Sequence, residues 1–287
     1  MKTTTRLIAG LLLLIVVPGR AVAESAPPAD SGWSAFPSDL LTRSYVADPL
    51  QPRFGISSLS VSKSEIDNAG ESRLALRLGG RFGLVRFTPR NHPERPWQLN
   101  IEAGFLGQFD SDHNQDNIGW DGIYGLVLVK GLSERLDLKL AAKHVSSHVG
   151  DELQERTGRR RINYTREESI VGLAWWPVQS WRLYGEVARG HELRNPELQK
   201  PGRVQVGVEY ESSRVLAWRL SGYAALDLNA FEESEWNADT TFQTGVSLAS
   251  GLRTWRVGIE FHDGRPNLGE FFEERERWLG FGIWLDL

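Results

Sequence analysis

Two histidines and two serines crowd the stretch KHVSSHVGD, Lys143 to Asp151. Residues two apart on a β-strand point the same way and stand roughly 6.8 Å apart along it. At that spacing a neutral His144 can take the proton of the Ser146 hydroxyl as it attacks an ester carbonyl. The base then needs a third group to hold its tautomer, supplied from a neighbouring strand. Whether the stretch is such a site or only the polar end of a strand depends on which way its side chains point.

The chain has 287 residues, no cysteine, eleven tryptophans and a net charge of −4. Without cysteine there is no disulfide framework and no thiolate-ligated zinc. The first residues read as a secretory signal peptide over 1–23: Lys2 and Arg6, then the apolar run Leu7 to Val17, then Ala21-Val22-Ala23 before Glu24. Cleavage would remove Lys2, Arg6 and Arg20, taking the net charge from −4 to −7. An exported, mildly acidic chain is a poor partner for nucleic acid. Residues 24–50, rich in proline, serine and aspartate, are expected to form an extended periplasmic arm.

From residue 51 onward, alternation with period two dominates. Leu99, Ile101, Ala103 and Phe105 oppose Gln98, Asn100, Glu102 and Gly104. Val204, Val206 and Val208 oppose Arg203, Gln205 and Gly207, and Trp255, Val257, Ile259 and Phe261 oppose Arg256, Gly258, Glu260 and His262. About twelve such segments follow one another, each long enough for a tilted transmembrane strand. The sixth is expected at 161–176, and the eighth and ninth at 202–211 and 215–229. Short connections alternate with longer polar ones, as in outer-membrane barrels. A soluble sandwich also alternates, but here the polar face carries charge in strand after strand, which suits a barrel interior. Tryptophans 97, 175, 176, 181, 255 and 278 fit interfacial girdles. Phe281, Ile283, Leu285 and Leu287 share one face of the last segment. The fold expected is all-β: an antiparallel transmembrane β-barrel of about 12 strands over 51–287, in the bacterial outer membrane.

If the last strand descends to the periplasm, the strand at 135–148 climbs outward. Leu136, Leu138, Leu140 and Ala142 then meet lipid, and Asp137, Lys139, Ala141 and Lys143 meet the lumen. Continued alternation puts His144, Ser146 and His148 on the lipid side, in the outer interfacial zone. On the next strand, counting back from Trp175, Leu173 and Val171 puts Ser169, Glu167, Thr165 and Asn163 on the same face. Asn163 is highest and is the first choice to orient His144; Glu167 is the second.

His144-Val145-Ser146, followed by Asn163, resembles the core of outer-membrane phospholipase A and, more loosely, of the lipid A deacylase barrel. The resemblance implies a serine ester hydrolase acting on outer-leaflet lipid. In those families Asn and then Gly follow the serine; here Ser147, His148, Val149 and Gly150 follow, so the family's oxyanion donors are not matched and the Gly150 N–H is one candidate. The resemblance also implies calcium, with Asp151 and Glu152 as candidate ligands; no cofactor is certain. A second resemblance covers nearly the whole mature chain. ADPLQPRF (Ala47–Phe54), HVSSHVGDE (His144–Glu152), RINYTRE (Arg161–Glu167) and FHDGRPNLGEFF (Phe261–Phe272) are similar to blocks of a bacterial envelope family of unassigned function.

Other signals are weaker. Asp110, Asp112, Asn114 and Asp116 occupy odd positions of a calcium loop, but Gln115 stands where the turn needs glycine. Arg159, Arg160 and Arg161 could meet lipopolysaccharide phosphates. Arg203, Glu209, Arg256 and Glu260 read as a lumenal ion-pair network or a selectivity ring. Three functions stand open: an outer-leaflet lipid ester hydrolase, a non-catalytic envelope barrel, and a small-solute or lipid channel. The partners expected are outer-membrane phospholipid or lipopolysaccharide, the barrel-assembly machinery and a second copy of the chain.

Overall fold

In the computed structural model, which describes residues 31–217 and 220–286, twelve antiparallel strands close into a barrel. The segment read as a signal peptide, 1–23, lies outside the described residues. A short strand β1 (Gly32–Ala35) precedes the wall, which runs β2 (Phe54–Ser64), β3 (Ser72–Thr88), β4 (Trp97–Asp110), β5 (Asp116–Ser133), β6 (Leu136–Val149), β7 (Thr165–Val178), β8 (Trp181–Leu193), β9 (Gly202–Ala217), β10 (Leu220–Phe231), β11 (Ala238–Ser250), β12 (Arg253–Gly264) and β13 (Glu276–Asp286). β13 pairs with β2 from Leu285 opposite Phe54 to Glu276 opposite Ser64, and this seam leaves the wall without an open edge.

The alternation read from sequence becomes the two faces of the wall. Leu140, Val171, Val206, Ile259 and Phe281 are exposed on the outside, whereas Lys139, Lys143, Gln205, Arg256 and Glu260 are buried inside. Two tryptophans depart from their expected places, and one of them, Trp176, packs against lumenal Tyr45, Ala174 and Tyr184. Trp278 is buried, stacked on His262 and packed with Leu59, Val61 and Ala75. In β13 the inward positions are Trp278, Gly280, Gly282 and Trp284, so residue parity places this ring in the lumen and not in a girdle.

Tight turns at 134–135, 179–180 and 251–252 lie at one end of the barrel. At the other end are longer connections, 150–164 and 265–275 among them. The 150–164 connection holds a short helix α1 (Asp151–Thr157) that the alternation did not show. β7 starts at Thr165, four residues later than expected, and β9 continues through the turn expected at 212–214. At the long-loop end Leu268 and Phe271 fold inward onto Ile66, Leu106, Ile118, Val149 and Leu153, forming an apolar cap over the β4–β6 side of that mouth.

Part of the segment expected as a periplasmic arm runs inside the barrel. Tyr45, Val46, Ala47, Asp48, Gln51 and Arg53 are buried. Tyr45 stacks on Tyr184 of the wall, ring centroids 3.6 Å apart. Arg182 donates to the carbonyls of Arg43 and Ser44, both at 2.9 Å, and the Val46 N–H donates to Glu209 at 2.7 Å. Around it the inward charges neutralise one another: Arg53 and Arg77 on Glu260, Arg81 on Glu102, Lys139 on Glu186, and Arg166 and Arg203 on Glu168. With residues 39–53 running through the lumen and an apolar cap at the long-loop end, liposomes carrying the folded chain should not swell in isotonic solutions of small sugars. Swelling at the rate of an open pore would contradict this packing.

Candidate functional site

The tight turn at 134–135 sets β6 against β5, and three rungs follow on the outer face. Trp120 stands opposite His148, Gly122 opposite Ser146, and Tyr124 opposite His144. Both histidine rings are covered by aromatic neighbours, with His144 on Tyr124 at 4.4 Å between centroids and Trp120 on His148 at 4.2 Å. Between them Gly122 presents no side chain, so the Ser146 hydroxyl sits in a gap between two aromatic rungs.

On the other flank β7 pairs with β6 so that Glu167 faces His144 and Thr165 faces Ser146. The Glu167 carboxylate is hydrogen-bonded to His144 Nδ1. With Nδ1–H donating to the carboxylate, Nε2 keeps its lone pair and can accept a proton. The side chains of His144 and Glu167 are 15% and 30% exposed, so the pair is open to a reactant at the outer face. No hydrogen bond joins Ser146 Oγ to His144 among the described residues. Such contacts are commonly loose in a free enzyme.

Asn163, the first choice to orient His144, does not reach it. It lies in the connection before β7 with φ of 56°, off the strand from which its height was counted. Its N–H and that of Tyr164 donate to the buried Glu270 carboxylate at 3.3 and 3.2 Å. This anchor lifts residues 162–164 out of the sheet and toward the cap. The second choice, Glu167, is the residue brought to His144.

Gly150 is not free to serve as an oxyanion donor, because its N–H donates to the Ile118 carbonyl at 2.9 Å. A Cβ there would stand 1.8 Å from the Asn117 carbonyl oxygen, so the glycine is required by close backbone packing. Asp151 and Glu152 are exposed in the first turn of α1, and Asp151 is ion-paired with Arg161. Among the described residues no three His, Asp or Glu side chains converge to hold a metal ion. Asp151 and Glu152, the candidate calcium ligands, thus belong to no such cluster among the described residues. Asp110 is occupied as well: it caps the 3-10 turn Ser111–His113 through the Asp112 N–H and pairs with Arg156.

Inside the wall behind the site, Ser147 Oγ donates to Asp121 and accepts the Glu270 N–H at 2.7 Å. The adjacent serines thus divide, one outward and bare, one inward and fixed. Tyr164, in the connection above them, has its phenol pushed well up by burial and by the neighbouring Glu233, to which it donates at 3.2 Å. Gly122 and Tyr124 were missed in the sequence reading, and Thr165 was placed on the right face without a role. A β-bulge between Gly131 and Ser133 shifts the β5–β6 register by one residue, so counting rungs outward from the tight turn at 134–135 does not reach the first two.

A family model described as "Protein of unknown function (DUF1207)" matches residues 18–286. The chain belongs to this family. No curated protein matches the DUF1207 chain. Among solved structures its fold is similar to Escherichia coli outer membrane phospholipase A, with a TM-score of 0.55, 10% identity, and 82% of this chain and 92% of that chain covered. It is similar also to the Salmonella typhi outer membrane phospholipase, solved as a dimer with bound calcium, with a TM-score of 0.57, 11% identity and coverage of 86% and 93%. At these identities the likeness is one of fold: the DUF1207 chain is a closed barrel of the kind found in bacterial outer membranes.

Proposed function

We propose that this chain is an outer-membrane barrel that hydrolyses ester bonds of outer-leaflet lipids, with Ser146 as nucleophile, His144 as base and Glu167 as the carboxylate that orients the imidazole. The observation that carries it is the His144–Glu167 contact on the outward face that also bears Ser146. An ionic hydrogen bond on the lipid side of a barrel is costly to maintain without a use. Apolar Leu126, Leu128, Leu140 and Val171 line a shallow groove beside it, where an acyl chain would lie. The segment bound inside the lumen argues against a channel.

In the reaction, Ser146 Oγ attacks the acyl carbonyl while its proton passes to His144 Nε2. The tetrahedral intermediate collapses with cleavage of the ester C–O bond, and the departing alcohol takes that proton. Water, deprotonated by His144, then attacks the acyl carbon, the bond to Ser146 Oγ breaks, His144 returns the proton to that oxygen, and the acyl group leaves as a carboxylic acid. The Thr165 hydroxyl, directly across from Ser146, is the nearest donor in register for the oxyanion. The barrel-assembly machinery would recognise the apolar face of β13.

A second reading is a sealed, non-catalytic envelope barrel, favoured by the engagement of the Gly150 N–H and by the ion-paired, plugged interior. Fatty-acid release from mixed detergent–phospholipid and detergent–lipopolysaccharide micelles separates the two. The hydrolase reading expects release by purified wild type from at least one of them, and no release from either leaves the structural barrel. Within the hydrolase reading, Glu167→Gln should lower kcat by about 10²-fold or more with KM little changed, as loss of an orienting carboxylate does. Asn163→Ala should leave the rate intact; the reverse order would move the orienting role back to Asn163.

A further inference from the structure

The segment that runs through the lumen starts as a short strand in the wall itself. β1 lies against the short-turn end of β3, with Trp33 opposite Phe87 and Ala35 opposite Val85. Trp33 touches Phe87, centroids 4.9 Å apart, yet is 76% exposed, and Phe36 is 77% exposed. Phe36 has φ of 49°, a left-handed conformation that a bulky side chain adopts only at a cost. It is held there by its N–H, which donates to the Leu84 carbonyl at 2.9 Å. The same level of the wall continues from Phe87 to Trp97 and from Trp97 to Lys130, whose Nζ lies 4.3 Å from the Trp97 ring centroid. Aromatic rings and a cation at one level of a barrel wall are the composition of a membrane–water interface.

We propose that Trp33 and Phe36 insert into the headgroup region of the inner leaflet, so that phospholipid holds the outer end of the segment that plugs the barrel. This rests on the outer-membrane placement given above and is independent of any hydrolase activity. From Phe36 the chain passes inward, and by Thr42 it is buried. Pro37 packs where Gly83 has no side chain, at the bulge between Gly83 and Val85; a Cβ on Gly83 would meet Pro37 Cγ at 2.6 Å. Asp39 then pairs with Arg86 at 2.9 Å, and the Leu41 N–H donates to Gln98 at 3.0 Å. The lipid anchor and the first lumenal contacts are thus one continuous fastening, and the strained Phe36 is where the chain turns from one to the other.

The chain has no cysteine, so a single introduced thiol takes a fluorophore uniquely. Trp33→Cys, Phe36→Cys and, as a mid-wall reference, Val171→Cys are each labelled with an environment-sensitive dye. Each is reconstituted in phosphatidylethanolamine–phosphatidylglycerol vesicles with nitroxide lipids spin-labelled near the headgroup or near the chain end. Heat-modifiable migration on a gel confirms that each variant is folded. The expected result is several-fold stronger quenching of the labels at 33 and 36 by the shallow nitroxide than by the deep one, with the opposite order at 171. Unquenched labels at 33 and 36, in vesicles where the label at 171 is quenched, would overturn the anchor and leave the barrel standing. No quenching at any of the three would overturn the membrane placement and the anchor with it.

Discussion

Ser146→Ala should abolish fatty-acid release, by on the order of 10⁴-fold or more, with no change in the barrel's heat-modifiable migration. The size follows from losing the atom that forms the acyl-enzyme. The unchanged fold follows from the geometry: Ser146 Oγ makes no hydrogen bond among the described residues and faces Gly122, so its loss orphans no buried group. Ser147→Ala is the matched control. Its hydroxyl is buried and joins Asp121 to the Glu270 N–H, so its loss should weaken the cap and leave the chemistry running. Initial rates of release from micelles, measured for both variants, decide the matter. Full activity in Ser146→Ala would end the hydrolase reading.

Glu260→Ala should destabilise the barrel by about 3–5 kcal/mol, because it leaves buried cations without their partner. Arg53 donates to Glu260 at 3.1 Å and Arg77 at 2.7 Å, and Gln243 donates to the same carboxylate. All four residues are buried. Arg53 belongs to the chain leading out of the plug, so the variant should also loosen residues 39–53. A lowered urea midpoint, together with faster proteolysis after Arg43, is the expected pair of changes. An unchanged midpoint would mean that the lumen is hydrated enough for water to replace the carboxylate. The exposed pair Lys63–Glu65 supplies the contrast, since its removal should shift the midpoint very little.

Much of the wall was legible because alternation is local. Lys139 and Lys143 point inward and Leu140 outward for reasons contained in a few consecutive residues. The site was legible only to the extent that local rules reach. His144 and Ser146 share a face by parity, but the residue that meets His144 depends on the register of β6 against β7. That register is set across a fifteen-residue connection containing α1. Counting back through residues 161–164 as if they were strand gave Asn163. The Glu270 carboxylate, more than a hundred positions away, takes their N–H groups and ends the strand at Thr165. The Gly150 N–H was likewise out of reach of local reasoning, because its acceptor is on β5. So was the course of residues 39–53, whose partners Arg182, Glu209 and Glu260 are distant in sequence.

A plugged, ion-paired interior inverts the usual link between greasiness and intolerance to substitution. In a water-soluble domain the aliphatic positions are the unforgiving ones. Here Leu140, Val171, Val206 and Ile259 stand on the outside of the wall, where one aliphatic residue replaces another at little cost. The arginines and glutamates form the jigsaw: each has shape, charge and several partners to satisfy at once. Drift in this chain should therefore accumulate on its hydrophobic half, and its salt-bridging half should change only by concerted exchange of whole clusters.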